Sequence, residues 1–248
     1  MSTYGLGAYP SPPDPRDHVL SASAIASAAA GVIIPDEFAV KGMPPHLDQD
    51  GTPQCTAYAG DQMKRWQEKR DSHGVRSYDH NRMYHWQKQI DGIDGDGSTG
   101  RAWCEIARTR GIPLVGKTKD VDRIAGYWRV DIGGDWEALL AAVVVYGPVM
   151  IGMEWPSNWM PSLAYHGVVP RPSVHLAGGH ELLIVGYKRR HPDVNDRLAL
   201  IGWNSWGVFP GSTGGGNQWI PAEYLSERHQ SGKAAVWEIW KTKDITGD

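Results

Sequence analysis

The chain has 248 residues, with 25 Lys and Arg against 28 Asp and Glu and a formal net charge of −3. A chain of this length can bury a core without metals or disulfides. Its basic residues form no long run, which argues against nucleic acid as the main partner.

The two cysteines, Cys55 and Cys104, are few for a secreted enzyme of this size and favour a reducing compartment. The amino-terminal residues lack the basic flank and apolar core of a secretion signal. The Ala/Ser-rich stretch 21–30 is too short to span a membrane. We therefore expect a cytoplasmic protein with no membrane partner.

Residues 1–34 are expected to form an amino-terminal extension. Residues 1–18 are rich in Pro and Gly and predict extended backbone laid along a surface. The Ala/Ser stretch that follows favours either a short helix or a flexible tether. The folded domain is expected to span residues 35–245, with a helical lobe over about 50–130 and a β lobe over about 131–245.

Hydrophobic periodicity predicts three helices in the first half of the chain. The first covers 53–70, with Thr52 as its N-cap and Pro53 as its first residue. The second covers roughly 79–89, and the third covers about 99–110 and stops at Gly111.

In the second half of the chain, the spacing of apolar residues changes from the period of helices to that of strands. A helix from Trp136 to Val145 is followed by strands. These strands are expected from Val149 to Met153, Leu182 to Tyr187, Leu198 to Trp203 and Ala234 to Trp240. Helices first and antiparallel strands afterwards indicate an α+β protein with two lobes and a cleft between them.

Cys55 is the candidate nucleophile, in the string DQDGTPQCTAYAG. In the first turn of a helix, unpaired backbone N–H groups and the helix dipole stabilise a thiolate. The alternative is a small buried cysteine that only packs, which is the commoner role of a cysteine taken alone.

Three further residues complete a catalytic hypothesis. His180, in GGHELLIVGY, is the candidate base, and Asn204, in GWNSWG, could orient its ring through a hydrogen bond. Gln49 lies on the loop before the first helix, where its amide could stabilise an oxyanion. The alternatives are a structural histidine, a turn asparagine and a solvated loop glutamine.

These three strings, in this order, resemble the papain-like cysteine peptidases, and in particular their compact bacterial and phage-type branch without a long pro-domain. The resemblance extends over nearly everything from Pro35 onward. It implies a papain-like two-lobe fold, with a helical lobe, an antiparallel β-barrel-like lobe and the active-site cleft between them. A bacterial or phage origin is expected from the same resemblance.

The resemblance also assigns roles to residues. It implies that Cys55 is the nucleophile, His180 the base and then the acid, Asn204 the orienting residue and Gln49 the oxyanion donor.

Substrate binding is expected at four further positions. Gly97 and Ser98 fall where the family pairs its backbone with an extended peptide, and Trp206 where the family shields the Asn–His bond. Gly179, beside the base, would let a substrate backbone approach closely.

Three residues depart from the family pattern. Gln54 replaces the usual Ser before the nucleophile, and Thr56 replaces the frequent Trp after it. Glu181 follows the base at a position that is often small. If the Glu181 side chain points inward, we expect it to raise the pKa of His180.

The expected function is hydrolysis of peptide bonds through a thiolate–imidazolium pair and an acyl-enzyme, with a polypeptide or peptide as partner. No metal or organic cofactor is expected. Two alternatives stay open at this point: a lysin-like peptidase or amidase on cell-wall peptides, and a non-catalytic peptide-binding protein. Residues 1–34 are too few for the family's long pro-domain, so they would either wrap the body or block the cleft.

Overall fold

A computed structural model describes residues 4–161, 167–226 and 235–245. Within these residues the helices are α1 (Ala22–Ala28), α2 (Cys55–Arg70), α3 (His80–Lys88), α4 (Gly100–Thr109), α5 (Trp136–Tyr146) and α6 (Ala222–Ser226). The strands are β1 (Val19–Ser21), β2 (Glu37–Ala39), β3 (Ile112–Pro113), β4 (Val121–Asp122), β5 (Ile124–Asp131), β6 (Val149–Pro156), β7 (Leu176–His191), β8 (Arg197–Trp203), β9 (Asn217–Pro221) and β10 (Val236–Asp244).

One large sheet dominates the second half of the chain. Its order is β1-β5-β10-β6-β7-β8-β9, with β2 paired to β7 beside this path. The β1–β5 pair is parallel and the other pairs in this sheet are antiparallel. Strands β3 and β4 form a separate small pair. The expected α+β architecture, with helices first and an antiparallel sheet afterwards, is confirmed.

The start of α2 differs from the sequence prediction. The helix begins at Cys55, not Pro53, and its N-cap Gln54 makes no side-chain capping bond. The hydroxyl of Thr52, at 2.5 Å, and its N–H, at 2.9 Å, both donate to the Gln49 backbone oxygen, so Thr52 closes a turn of the preceding loop instead of capping the helix. The correction places Cys55 at the first helical residue, where backbone N–H groups lack intrahelical partners.

The other predicted elements lie at their expected positions, but three strands are longer than predicted: β6 ends at Pro156, β10 ends at Asp244, and β7 is extended at both ends. Asp79 and Thr99 cap α3 and α4 through their side chains. The Ala/Ser stretch forms helix α1, which packs on α5. Strand β7 extends from Leu176 to His191, well beyond the predicted Leu182–Tyr187. Ala234, the predicted start of the last strand, lies outside the described residues.

Strand β7 is buried on both faces, which explains its continuous apolar sequence. Leu182 and Ile184 join the hydrophobic cluster that includes α5. Leu183 and Val185 point the other way and join the cluster formed with α2 and α4. The strand that carries His180 is therefore fixed by two cores.

Buried polar bonds fix α2 against the sheet at the end opposite Cys55. The Lys64 ammonium contacts both Glu68 and Asp244, and all three side chains are buried. The Gln67 side chain donates to the backbone oxygen and to the hydroxyl of Thr242, each at 3.0 Å. A buried lysine between two carboxylates is costly to break, so α2 is held in one orientation relative to β10.

No helix in the described part of the chain is long and apolar enough to cross a membrane. The division of the chain at residue 35 stays a prediction, since β1 and α1 pack on the body that follows them.

Lys241 makes the stability of the fold depend on pH. Its ammonium is buried and donates to the Tyr146 oxygen at 2.6 Å, and burial lowers its pKa to about 7 from a usual 10.5. Between these values the unfolded chain binds one more proton, so stability rises with pH by up to about 1.4 kcal/mol per unit.

We expect Lys241→Met to remove this slope. The measurement is the free energy of unfolding in urea at intervals from pH 7 to 10. Lys243→Met, which removes an exposed lysine from the same strand, is the matched control. A difference between wild type and Lys241→Met that stays constant over this range would contradict the assignment.

Candidate active site

Cys55 lies at the amino end of α2, with its side chain fully buried. Burial raises the pKa of its thiol to about 12, and the negative charge of Glu181 acts in the same direction. Backbone hydrogen bonds from Glu181 and Thr56 oppose this rise. The Glu181 N–H bonds to the thiol, so Cys55 lies against β7 at the residue that follows His180.

His180 and Asn204 are hydrogen bonded. The His180 Nε2 lies 2.8 Å from the Asn204 Oδ1, and since an amide oxygen only accepts, Nε2 carries the proton. Burial lowers the pKa of His180 to about 4, against the effect of the Asn204 bond. Its Nδ1 is buried and has no hydrogen-bond partner among the described residues. A neutral ring in this tautomer presents Nδ1 as a base.

Two tryptophans enclose the imidazole of His180. Trp206 stacks on it, with ring centroids 4.7 Å apart and an interplanar angle of 24°. Trp155 meets it edge-on at 4.8 Å. Trp206 therefore lies against the imidazole that bonds to Asn204, and its shielding of that bond stays a prediction.

Gln49 is fully buried at the same site. Its Oε1 accepts the Ser205 hydroxyl at 2.6 Å, which fixes the orientation of the amide. Its Nε2 donates to the backbone oxygens of Thr52, at 2.5 Å, and Gly5, at 3.2 Å. The Gly5 oxygen also accepts from Trp206 Nε1 at 3.1 Å. A peptide carbonyl of the chain itself thus lies against the predicted oxyanion donor.

That carbonyl belongs to a segment that we call the strap, residues 4–18, which runs through the cleft. Gly7 and Ala8 donate their N–H groups to the Gly179 oxygen, at 2.9 and 3.0 Å. Ser98 donates to the Gly7 oxygen at 2.8 Å and accepts from the Tyr9 N–H at 2.9 Å. Ser98 and Gly179 are backbone positions that the sequence assigned to an extended peptide, and here the chain's own peptide occupies them.

Side chains anchor the strap on both sides of this pairing. The Tyr4 ring packs on Trp206, with centroids 5.4 Å apart. Arg101 forms ion pairs with Asp14 and Asp17 of the strap. The strap then continues into β1, which pairs with β5. The extension therefore both wraps the body and fills the cleft.

Gly97 has a different part from the one expected. Its N–H donates to the Tyr84 hydroxyl at 2.7 Å and not to a strap carbonyl, and its oxygen accepts from Lys88 at 3.0 Å. A Cβ at Gly97 would lie 2.5 Å from the Gly7 oxygen. Gly97 leaves space for the strap backbone to approach closely, while Ser98 forms the hydrogen bonds with that backbone.

The residues flanking the nucleophile contact the helical lobe. The Gln54 amide donates to Asn81 at 2.9 Å, and the Thr56 hydroxyl accepts from Gln87 at 3.0 Å. Gln54 and Thr56, which depart from the family pattern, therefore hold the start of α2 against α3.

The expected effect of Glu181 on the pKa of His180 is not found. The Glu181 side chain is fully buried and points inward, yet the pKa of His180 is lowered by burial and not raised by this carboxylate. The charge of Glu181 raises the pKa of Cys55 instead, while the Glu181 backbone N–H bonds to the thiol and opposes that rise. The sequence analysis also missed Ser205, whose hydroxyl fixes the Gln49 amide.

No protein-family model and no curated protein matches the sequence. Solved structures do resemble the chain in fold. Xylellain, a cysteine protease from Xylella fastidiosa, is 22% identical with a TM-score of 0.75, over 98% of this chain and 97% of that one. The proCathepsin B S9 of Trypanosoma congolense is 11% identical with a TM-score of 0.73, over 98% of this chain and 87% of that one. The procathepsin L2 of Tenebrio molitor is 18% identical with a TM-score of 0.69, over 97% and 78%.

These similarities establish that the chain has the fold of the papain-like cysteine proteases. The two-lobe fold expected from the sequence resemblance is confirmed.

Displacement of the strap should activate the Cys55 thiol toward alkylation. A Cβ at Gly5 would lie 1.9 Å from the Thr52 oxygen, and one at Gly7 would lie 2.5 Å from the Pro53 oxygen. Gly5→Ala and Gly7→Ala should therefore expel the strap, admit water and lower the pKa of the thiol. We expect iodoacetamide to modify Cys55 at least about tenfold faster in either variant.

Rates of alkylation measured by mass spectrometry check this expectation, with Cys55→Ala to identify the site. Gly126→Ala is the matched control, because its Cβ would meet only ordinary contacts. In the wild type the rate should still be rising at pH 9, since burial raises the pKa of the thiol to about 12. Equal rates in the wild type and both strap variants would contradict the role of the strap.

Proposed function

We propose that the chain is a papain-like cysteine peptidase that its own strap holds in a latent state. One observation carries this proposal: a peptide segment lies extended in the cleft, with its Gly5 oxygen against Gln49, beside Cys55 and the hydrogen-bonded pair of His180 and Asn204. A non-catalytic peptide-binding protein has no need for a base with a free Nδ1 beside a helix-start thiol.

The residues support a two-step hydrolysis. With the strap displaced, His180 Nδ1 takes the thiol proton of Cys55, and the thiolate sulfur bonds to the peptide carbonyl carbon. The carbonyl electrons move to the oxygen, which Gln49 stabilises through Nε2. The C–N bond then breaks as the imidazolium gives its proton to the leaving amine.

The acyl-enzyme is released by water. His180 takes a proton from the water, whose oxygen bonds to the thioester carbon, and the C–S bond breaks to free the acid. Asn204 holds the ring in one tautomer through both steps, and Trp206 keeps water from competing for that hydrogen bond.

The strap accounts for why Cys55 and His180 do not form a thiolate–imidazolium ion pair while the cleft is closed. With the cleft filled, burial favours the neutral thiol and the neutral imidazole, since a low-dielectric site penalises both charged forms. Opening the cleft restores solvent, and the helix dipole and the backbone N–H of Glu181 then favour the thiolate. A reducing, cytoplasmic setting fits a nucleophile that must stay a free thiol.

Loss of each catalytic group should reduce hydrolysis in the Gly5→Ala background. We expect Cys55→Ala and His180→Ala to lose at least about 10³-fold in kcat/KM. Gln49→Ala should lose about 10²–10³-fold in kcat, because it removes one oxyanion donor. The measurement is the cleavage of a fluorogenic peptide library, with the cleavage products identified by mass spectrometry.

A thiol-directed epoxide peptide provides a second readout that does not depend on finding a good substrate. It should add once to the Gly5→Ala protein and not to its Cys55→Ala derivative. Cys104→Ala, in the core of the helical lobe, is the matched control and should still form the adduct. Absence of the adduct together with absence of cleavage would overturn the peptidase proposal.

A further inference from the structure

Three side chains that commonly bind metals lie together at the carboxyl end of α2, about 20 Å along the helix from Cys55. Glu68 lies in the last turn of α2, His73 in the loop that follows, and Asp244 at the end of β10. One oxygen of each carboxylate and one ring nitrogen of His73 lie within 4.8 Å of one another. The three groups can therefore reach one ion between them.

The separation between His73 and Glu68 already fits a shared metal ion. Their nearest atoms, Nδ1 and Oε2, are 3.4 Å apart. Two ligands that each lie about 2 Å from a tetrahedral zinc ion are about 3.3 Å from each other. A small movement of the Asp244 side chain completes a set of three ligands.

Each of the two carboxylates is fixed through one oxygen and has its other oxygen free. The Lys64 ammonium contacts Glu68 Oε1 and Asp244 Oδ1, and the Ile245 N–H donates to the same Asp244 oxygen at 2.7 Å. The other two oxygens, Glu68 Oε2 and Asp244 Oδ2, are buried and accept no hydrogen bond from a described residue. The two side chains are only 5% and 1% exposed. Buried oxygens without a partner are costly, which points to a ligand at this place.

The charges around the cluster also favour a cation. Lys64 balances the charge of only one of the two carboxylates, and a histidine that binds a metal is neutral. The Arg76 Nε lies 3.7 Å from Glu68 Oε2, but the same guanidinium forms a closer ion pair with Asp122, at 2.7 Å. One negative charge of the cluster is therefore not compensated.

A cavity of about 300 Å³ gives an ion access to the cluster from solvent. The cluster forms part of its wall, and His73 is 37% exposed. The remaining wall is formed by Lys64, Arg76, Val121, Asp122, Arg123 and Ile245. Water from this cavity can supply a fourth ligand.

We propose that Glu68, His73 and Asp244 bind a divalent transition-metal ion such as zinc. Two carboxylate oxygens and one imidazole nitrogen are ligands that zinc accepts, with water in the open position. Lys64 is the outer partner that orients both ligating carboxylates. The ion joins the end of α2 and the loop after it to β10, so it stabilises the fold and takes no part in hydrolysis.

The test adds CoCl2 or ZnCl2 to the full chain after treatment with a chelator. Cobalt(II) bound by nitrogen and oxygen ligands in a tetrahedron absorbs visible light but lacks the ultraviolet band of a cobalt–thiolate bond. The spectrum therefore distinguishes this site from binding at Cys55. We expect one equivalent of cobalt to bind, and an excess of ZnCl2 to raise the Tm by at least about 3 °C.

Variants then assign the metal to these residues. His73→Ala and Glu68→Gln should each weaken cobalt binding by at least about tenfold and remove the rise in Tm. The unfolding transition without metal reports that each variant is folded. His85→Ala, which removes an exposed histidine from α3, is the matched control and should bind cobalt as the wild type does.

Two results would overturn the site. One is the absence of cobalt absorption, or an absorption that both His73→Ala and Glu68→Gln retain. The other is a thiolate band that disappears in Cys55→Ala, which would assign the metal to the catalytic cysteine. Neither result depends on the cleavage of a peptide, so failure of the metal site leaves the proposed function unaffected.

Discussion

The contact between the start of α2 and strand β7 is the constraint on which the rest of the site depends. Cys55 is the first residue of its helix, and the Glu181 N–H reaches its thiol. This contact is reproducible because β7 is buried by a core on each face, while Lys64 and Asp244 lock the far part of α2 to β10. The nucleophile and the base come from separate parts of the sequence, and packing alone sets their relation.

The contact lies in a buried site while the strap occupies the cleft. Burial raises the pKa of Cys55 and lowers that of His180, so both groups are neutral. The same tryptophans, Gln49 and backbone groups that would serve a substrate hold the strap instead. The proposed latency therefore requires no additional site, because the strap binds through the same contacts that a substrate would use.

The sequence was sufficient for what is local and insufficient for what depends on distant contacts. Periodicity and caps located the helices, since those signals lie within one turn. The predicted start of α2 was wrong by two residues because Thr52 closes a local turn onto Gln49, a use of threonine that competes with helix capping. The effect of Glu181 was misjudged because strand register decides which neighbour a buried charge acts on. The sequence offered a blocked cleft as one of two alternatives for residues 1–34 but could not choose between them, since pairing of Gly7 with Ser98 joins segments far apart in the chain.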